Sequence, residues 1–230
     1  MGIIKSCVIL AGGAGKRIGS DKAFLEFFGK KMIERTVDLV GEVVDDAVVV
    51  ARDEEQLARL QDLVPEARLA CDSVRGFGPV AGLAAGMAAA RGERALAVGC
   101  DLPFLKPEVL ELLFDFADGY DAAIPAGEGG LMEPLHAVYR TDRMARACEE
   151  ALAAGQRRIR TPLEGLRVKN VSVELLRPFD PELLSFFNLN TEEDLSEAER
   201  IYSRLKSSGE GRDRRCRPPG RRSISLPESL

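Results

Sequence analysis

An apolar run, Cys7-Val8-Ile9-Leu10, passes directly into Ala11-Gly-Gly-Ala-Gly-Lys-Arg-Ile-Gly-Ser-Asp-Lys22, and this junction constrains the fold more than any other stretch. The run reads as a buried strand. After it, Gly12, Gly13, Gly15 and Gly19 interleave with Lys16, Arg17 and Lys22. Glycine lets a backbone turn sharply and approach a ligand without a Cβ in the way. Successive exposed N–H groups in such a turn form a concave anion site, to which Arg and Lys add full charges. A strand that ends in this loop belongs to a sheet with a polyphosphate site at its carboxyl edge. The plainer reading is a surface loop with solvated charges. Two common phosphate loops fail on spacing: Gly15-Lys16 is followed by Arg17 rather than Ser or Thr, and Leu10 holds the first P-loop glycine position. In a G-x-G-x-x-G reading of Gly13 and Gly15, Ile18 stands where the third glycine belongs.

Short β-rich runs at 5–10, 47–51, 67–71 and 95–99 alternate with apolar residues at i, i+3, i+4 over 32–40, 54–63 and 80–90. The strand runs are continuously apolar, as expected where helices cover both faces of a mostly parallel sheet. Pro107 and Glu108 suit the first turn of a helix over 107–117. Strands are expected at 122–125, 132–139 and 168–173, and a helix at 142–154. Thr191 and the acidic residues after it mark the N-terminus of a final helix. No internal repeat is present, and one α/β domain over 1–206 is expected.

Residues 207–230 carry six Lys/Arg against three Asp/Glu and no periodic apolar pattern, so a basic, disordered tail is expected there. The body keeps 26 basic and 34 acidic residues, a balance that argues against broad nucleic-acid binding. No apolar run is long enough for a membrane span, and no signal peptide is evident. Five cysteines (Cys7, Cys71, Cys100, Cys148, Cys216) form no C-x-x-C pair, which points to a reduced cytoplasm rather than to disulfides or zinc. The single histidine, His136, reads as a strand residue rather than a base. Chemistry must therefore run on carboxylates, amines, guanidinium groups and backbone amides.

Asp101 follows the 95–99 strand, where a carboxylate faces the crevice in which open α/β sheets bind ligands. One Asp holding Mg²⁺ whose other ligands are substrate phosphates is a usual arrangement for that ion. A capping or loop Asp is the alternative. Asp72 ends the third strand, and Gly78 and Gly82 bracket the loop-to-helix join that follows. They open the backbone to a base or ribose, or they serve packing alone. Asn188 and Asn190 flank Leu189 and emerge on one face of an extended segment, although Asn190 taken alone reads as a helix N-cap and Asn188 does not.

Together, L-A-G-G-x-x-x-R-x-G-x-D-K, D-S…G-P-x-A-G, C-D-x-P, P-L-x-A-x-Y and N-x-N-T-x-E-D-L resemble the molybdenum cofactor guanylyltransferases, in family order over residues 4–205. The resemblance implies a three-layer, Rossmann-like nucleotidyltransferase domain with a mostly parallel mixed sheet. It implies transfer of GMP from GTP to molybdenum-molybdopterin, giving the guanine dinucleotide cofactor and pyrophosphate. By the same likeness Leu10, Ala11, Gly12 and Gly13 line the nucleotide, with Lys22 at the loop's end. Asp72 contacts the nucleotide, Asp101 binds nucleotide and Mg²⁺, and Arg17 is the loop arginine. Asn188 and Asn190 face the pterin. Transient contact with molybdoenzymes or their chaperones is implied as well.

One departure is Ala51, where the family commonly presents Asn at the end of the second strand. Related sugar-phosphate, terpenoid and cytidylyl transferases tend to carry Ala-Ala-Gly where this chain has Ala11-Gly12-Gly13, which favours GTP over CTP. A non-catalytic, nucleotide-binding adaptor would keep the glycines but could lose the metal carboxylate. Retention of Arg17, Lys22 and Asp101 together favours catalysis.

Overall fold

The computed structural model describes residues 4–12, 21–72, 74 and 77–208. Arg17, Gly13 and the tail from residue 209 lie outside the described residues, so the expectations placed on them stand as expectations.

Strand β1 (Lys5–Leu10) is central. A small antiparallel hairpin, β2 (Glu26–Phe27) and β3 (Lys30–Lys31), leads into α1 (Met32–Val40). Then follow β4 (Asp46–Ala51), α2 (Glu54–Gln61), β5 (Arg68–Cys71), α3 (Pro79–Ala89), β6 (Arg94–Gly99) and α4 (Pro107–Phe116). The second half adds β7 (Ala122–Ala126), β8 (His136–Arg140), α5 (Thr141–Ala153), β9 (Val168–Ser172) and α6 (Glu192–Ser207).

The main sheet runs β5-β4-β1-β6-β8-β7-β9. Only β8 runs against its neighbours, so the sheet is mostly parallel but mixed. The chain first winds outward from β1 through β4 to β5, then returns across to β6 on the other side. That reversal, between β1 and β6, is where open α/β sheets leave a crevice at the carboxyl ends of their strands.

Side-chain alternation divides each strand between two cores. Cys7, Ile9, Val49, Leu96, Val98 and Val138 pack under α1, α2 and α4. Val8, Val48, Val50, Ala95, Ala97 and Ala137 pack under α3 and α5. The result is the expected three-layer sandwich. A third cluster, with Phe27, Met32, Phe104, Leu189 and Ile201, fastens the hairpin and α6 to one end.

Helix ends follow their local chemistry. Asp53 caps α2 through the Gln56 amide, Pro107 opens α4, and Thr191 and Asp194 form a capping box on α6. One expected strand is corrected. The 132–139 stretch pairs only from His136, because Met132 makes a lone bridge to Ala126 and 133–136 close a turn in which the His136 amide donates to the Glu133 carbonyl. Pro134 has no N–H to give a ladder.

Candidate active site

The carboxyl ends of β1 and β6 bring three sequence-distant side chains together. Lys22 Nζ donates to Asp101 Oδ2 at 2.8 Å and to Asn190 Oδ1 at 2.8 Å. Each partner has its own local anchor. Lys22 begins a short 3-10 turn, Lys22–Phe24, capped by Asp21. Asp101 directly follows β6, and its carbonyl accepts from the Leu189 amide at 3.0 Å. Asn190 precedes α6, and its amide donates to the Asp194 carboxylate. The lysine is almost covered and the carboxylate only partly exposed, with side-chain exposures of 11% and 22%. In so sheltered a place charge-assisted bonds are stronger than at an open surface.

Leu10, Ala11 and Gly12 leave β1 at the same edge, as expected for the start of a nucleotide loop. Ala11 is fully buried, its amide donating to Val50. Gly12 has a packing reason of its own: a Cβ there would meet Arg52 Cβ at 3.0 Å. The guanidinium of Arg52 pairs with Asp21 at 3.0 Å. Ala51 is buried at the end of β4, so it offers no polar group to the crevice.

Asp72 stands after β5, three strand positions from β6. At the usual strand spacing that is about 14 Å from Asp101, too far for both to hold one metal ion. Its Oδ1 accepts from the Val74 amide, while burial pushes its carboxyl above the ordinary range. Gly78, at φ +62, takes a conformation that side chains rarely adopt, and it leads into Pro79 at the first turn of α3. Gly82 belongs to packing, because a Cβ would meet Leu10 Cδ2 at 3.0 Å.

Asn188 and Asn190 are both exposed on either side of buried Leu189, as their alternation implies. They nevertheless divide between two places. Asn190 completes the lysine's hydrogen bonding, whereas Asn188 lines a cavity that Asp101 also borders. His136 is packed, stacked on Phe186 with ring centroids 4.5 Å apart. Burial drives its pKa down to about 4, against the opposing charge of Asp180, so the ring is neutral near pH 7.

One residue that holds the site was not among the candidates. Gln56 is wholly buried, and its amide nitrogen donates to the Ala11 carbonyl at 3.0 Å and to both Asp21 oxygens. Its Oε1 accepts from the Arg52 amide at 2.8 Å. It thus clasps the chain just before and just after residues 13–20. The available signal was Asp53-Glu-Glu-Gln56, a capping-box spacing in which the Gln side chain turns back toward the helix start.

A family model described as a MobA-like NTP transferase domain matches residues 7–170. The chain is 40% identical over 198 residues to a probable molybdenum cofactor guanylyltransferase of Methanosarcina mazei, covering 83% of this chain and 88% of that one. It is 39% identical over 194 residues to a molybdenum cofactor guanylyltransferase of Desulfosudis oleivorans, covering 84% and 93%. Among solved structures it resembles molybdopterin-guanine dinucleotide biosynthesis protein A of Archaeoglobus fulgidus, at TM-score 0.77 and 39% identity, over 87% of this chain and all of that one. Within the described residues no helix is long and apolar enough to cross a membrane.

Proposed function

The chain belongs to the MobA-like NTP transferases, and from that premise we propose that it transfers GMP from GTP to molybdenum-molybdopterin, releasing pyrophosphate. The observation that carries this reading is the Lys22–Asp101–Asn190 cluster at the switch point between β1 and β6. A lysine and a carboxylate at the mouth of a glycine loop are what a metal-bound polyphosphate requires.

Asp101 suits Mg²⁺, which usually binds through one or two carboxylates and leaves its other positions to phosphates and water. Among the described residues no group of three or more His, Cys, Asp or Glu offers a richer cage. When bound, the ion would neutralise phosphate charge at Asp101. The rest falls to the chain's own groups. The amides after β1, with Arg17 and Lys22, hold the triphosphate and offset charge as it moves toward the leaving pyrophosphate. Asp72, at the sheet edge, serves the nucleoside end, and Asn188 and Asn190 face the acceptor.

The acceptor's phosphate monoester has a second pKa near ~6, so it is anionic at pH 7 and needs no general base. Its oxygen bonds to the α-phosphorus as the bond from that phosphorus to the bridging oxygen breaks, and pyrophosphate departs with those electrons. Alignment then dominates the rate. No enzyme-bound nucleotide is required, which agrees with a neutral, packed His136.

We assign one catalytic domain to residues 1–206 and place the protein in the cytoplasm. In support of the latter, the four cysteines among the described residues are free thiols. Delivery of the product implies transient contact with molybdoenzymes or their chaperones. The deciding experiment measures pyrophosphate release by purified protein with Mg²⁺ and molybdenum-loaded molybdopterin, offering GTP and CTP in parallel. GTP-selective release with formation of the guanine dinucleotide is expected. CTP preference would reassign the base, and tight GTP binding without turnover would favour an adaptor.

A further inference from the structure

Beside Asp101 lies a half-open cavity of about 240 Å³. Its walls come from the start of α3, the end of β6, the 133–136 turn and the 186–188 segment, with Ile159 closing one side. That volume is below the ~300–1,000 Å³ of sites that take a whole drug-sized ligand, so it suits a single flat ring system. Pro134, Leu135, Leu102 and Phe186 make most of the lining apolar.

Within this lining Glu133 stands out. Its backbone is fixed at both ends, the amide donating to the Pro125 carbonyl and the carbonyl accepting from His136. Its carboxylate has no ion pair and no hydrogen bond among the described residues, although it is half-buried. Burial alone pushes its carboxyl above the ordinary range. Among the described residues no lysine or arginine lines the cavity, and the neighbouring His136 ring is neutral, so none of these lining groups brings a positive charge for a phosphate. A half-desolvated carboxylate without a partner calls for donors. Two parallel N–H groups on a planar ligand satisfy it best, in the fork geometry that carboxylates accept.

We propose that Glu133 reads the N–H and amino edge of a 2-amino-4-oxopyrimidine ring seated in this cavity. The inference rests on the transferase reading above, because both of its substrates, the pterin and the guanine nucleotide, present that edge. Glu133 then selects the ring by hydrogen bonding, while Asp101, in the same lining, serves the reacting phosphates.

The test is direct binding to the full chain, followed by fluorescence, of 6-hydroxymethylpterin and of lumazine, in which a carbonyl replaces the 2-amino group. A parallel titration with GMP uses calorimetry. Wild type is expected to prefer the pterin over lumazine by about tenfold or more, since a carboxylate facing a carbonyl loses its donor. Glu133→Gln should weaken the pterin by about tenfold or more and erase the preference. Loss of GMP affinity instead, with the pterin unchanged, would make guanine the ring that Glu133 reads and would overturn the placement of the nucleoside end at Asp72. Among the described residues the side chain has no hydrogen-bond or ion-pair partner, so the urea midpoint should not move. The inference is overturned if the variant binds both ligands as wild type does, if wild type binds neither, or if the variant only raises the Mg²⁺ requirement. Pyrophosphate release by wild type with GTP and the full acceptor is scored separately. Turnover there, with unaltered ring binding in the variant, would sink the Glu133 assignment and leave the transferase reading intact.

Discussion

Replacing Gln56 by Met keeps the volume of a wholly buried side chain and removes its polarity. Three interactions go with it: the bond to the Ala11 carbonyl, the bond to the Arg52 amide and the forked bond to the Asp21 carboxylate. The two neutral bonds contribute about 1 kcal/mol each and the charged one about 1.5–3, so a loss of about 3–5 kcal/mol is expected. Asp21 keeps Arg52, which sets the lower end of that range. Urea denaturation should show a fall in midpoint with an unchanged slope. The kinetic effect follows from position. Asp21 caps the turn that begins with Lys22, so slack at Gln56 moves the ammonium relative to Asp101. A shift near 1 Å costs on the order of 10²-fold, read as kcat/KM for GTP well below the unfolding transition. Gln56→Glu adds a signature of its own. A new carboxylate against Asp21 and the Ala11 carbonyl is worst when charged, so its deficit in stability should shrink between about pH 8 and pH 5.5. A Met variant within about 1 kcal/mol of wild type, turning over normally, would refute the clasp.

Asp101→Ala should abolish turnover at saturating Mg²⁺ while circular dichroism stays native; normal turnover would remove the metal assignment. Lys22→Ala should weaken GTP binding and slow the reaction together, and unchanged GTP kinetics would exclude it from the site. Asp46 is buried beneath the sheet edge, where desolvation raises its carboxyl but bonds from Ser6, the Arg91 amide and Arg68 outweigh this and hold it below the ordinary range. Its stabilisation is therefore fully present above the unfolded value near ~3.9 and is lost as pH falls through the lower folded value. Asp46→Asn should flatten that acid limb of the urea midpoint against pH, and an identical limb would assign it to other carboxylates. Gly86→Ala should destabilise by about 1–2 kcal/mol despite the better helix former, because the new Cβ would clash with Val8 Cγ1 and Val50 Cγ2. A gain in the urea midpoint would show that α3 can lift off the sheet without cost.

Most of the fold was legible because parallel strands covered on both faces must be continuously apolar, as the centres of β1, β4 and β6 are, while the edge strand β5 stays half-buried. Two helices announced their starts, α4 through Pro107 and α6 through Thr191. What stayed hidden has physical causes. Two-residue strands such as β2 and β3 are too short to show an alternation. The start of β8 depends on a turn around Pro134 that a run of apolar letters does not reveal. Gln56 sits in a helix rich in charge, where a polar residue reads as solvated, and only the fold puts Ala11 and Asp21 over it. The glycines were ambiguous for a related reason: one missing Cβ serves a ligand or a neighbour, and at Gly82 and Gly12 the neighbours are Leu10 and Arg52.

Each motif could be read alone, but their convergence could not. Lys22 is 79 residues from Asp101 and 168 from Asn190, and only the β5-β4-β1-β6 winding makes them neighbours. Their contact also bears on how such a site survives between turnovers. An ammonium and a carboxylate placed to serve phosphate and metal would each be costly to shelter without a partner. Pairing them at 2.8 Å, with the Asn190 oxygen as a third point, lets both keep a charge-assisted bond of their own. On the proposed reading, substrate binding exchanges that pair for two stronger ones: Lys22 turns to phosphate and Asp101 to the metal. The cluster then costs little stability when the chain is alone, and it becomes fully committed only when the polyphosphate separates its two charges.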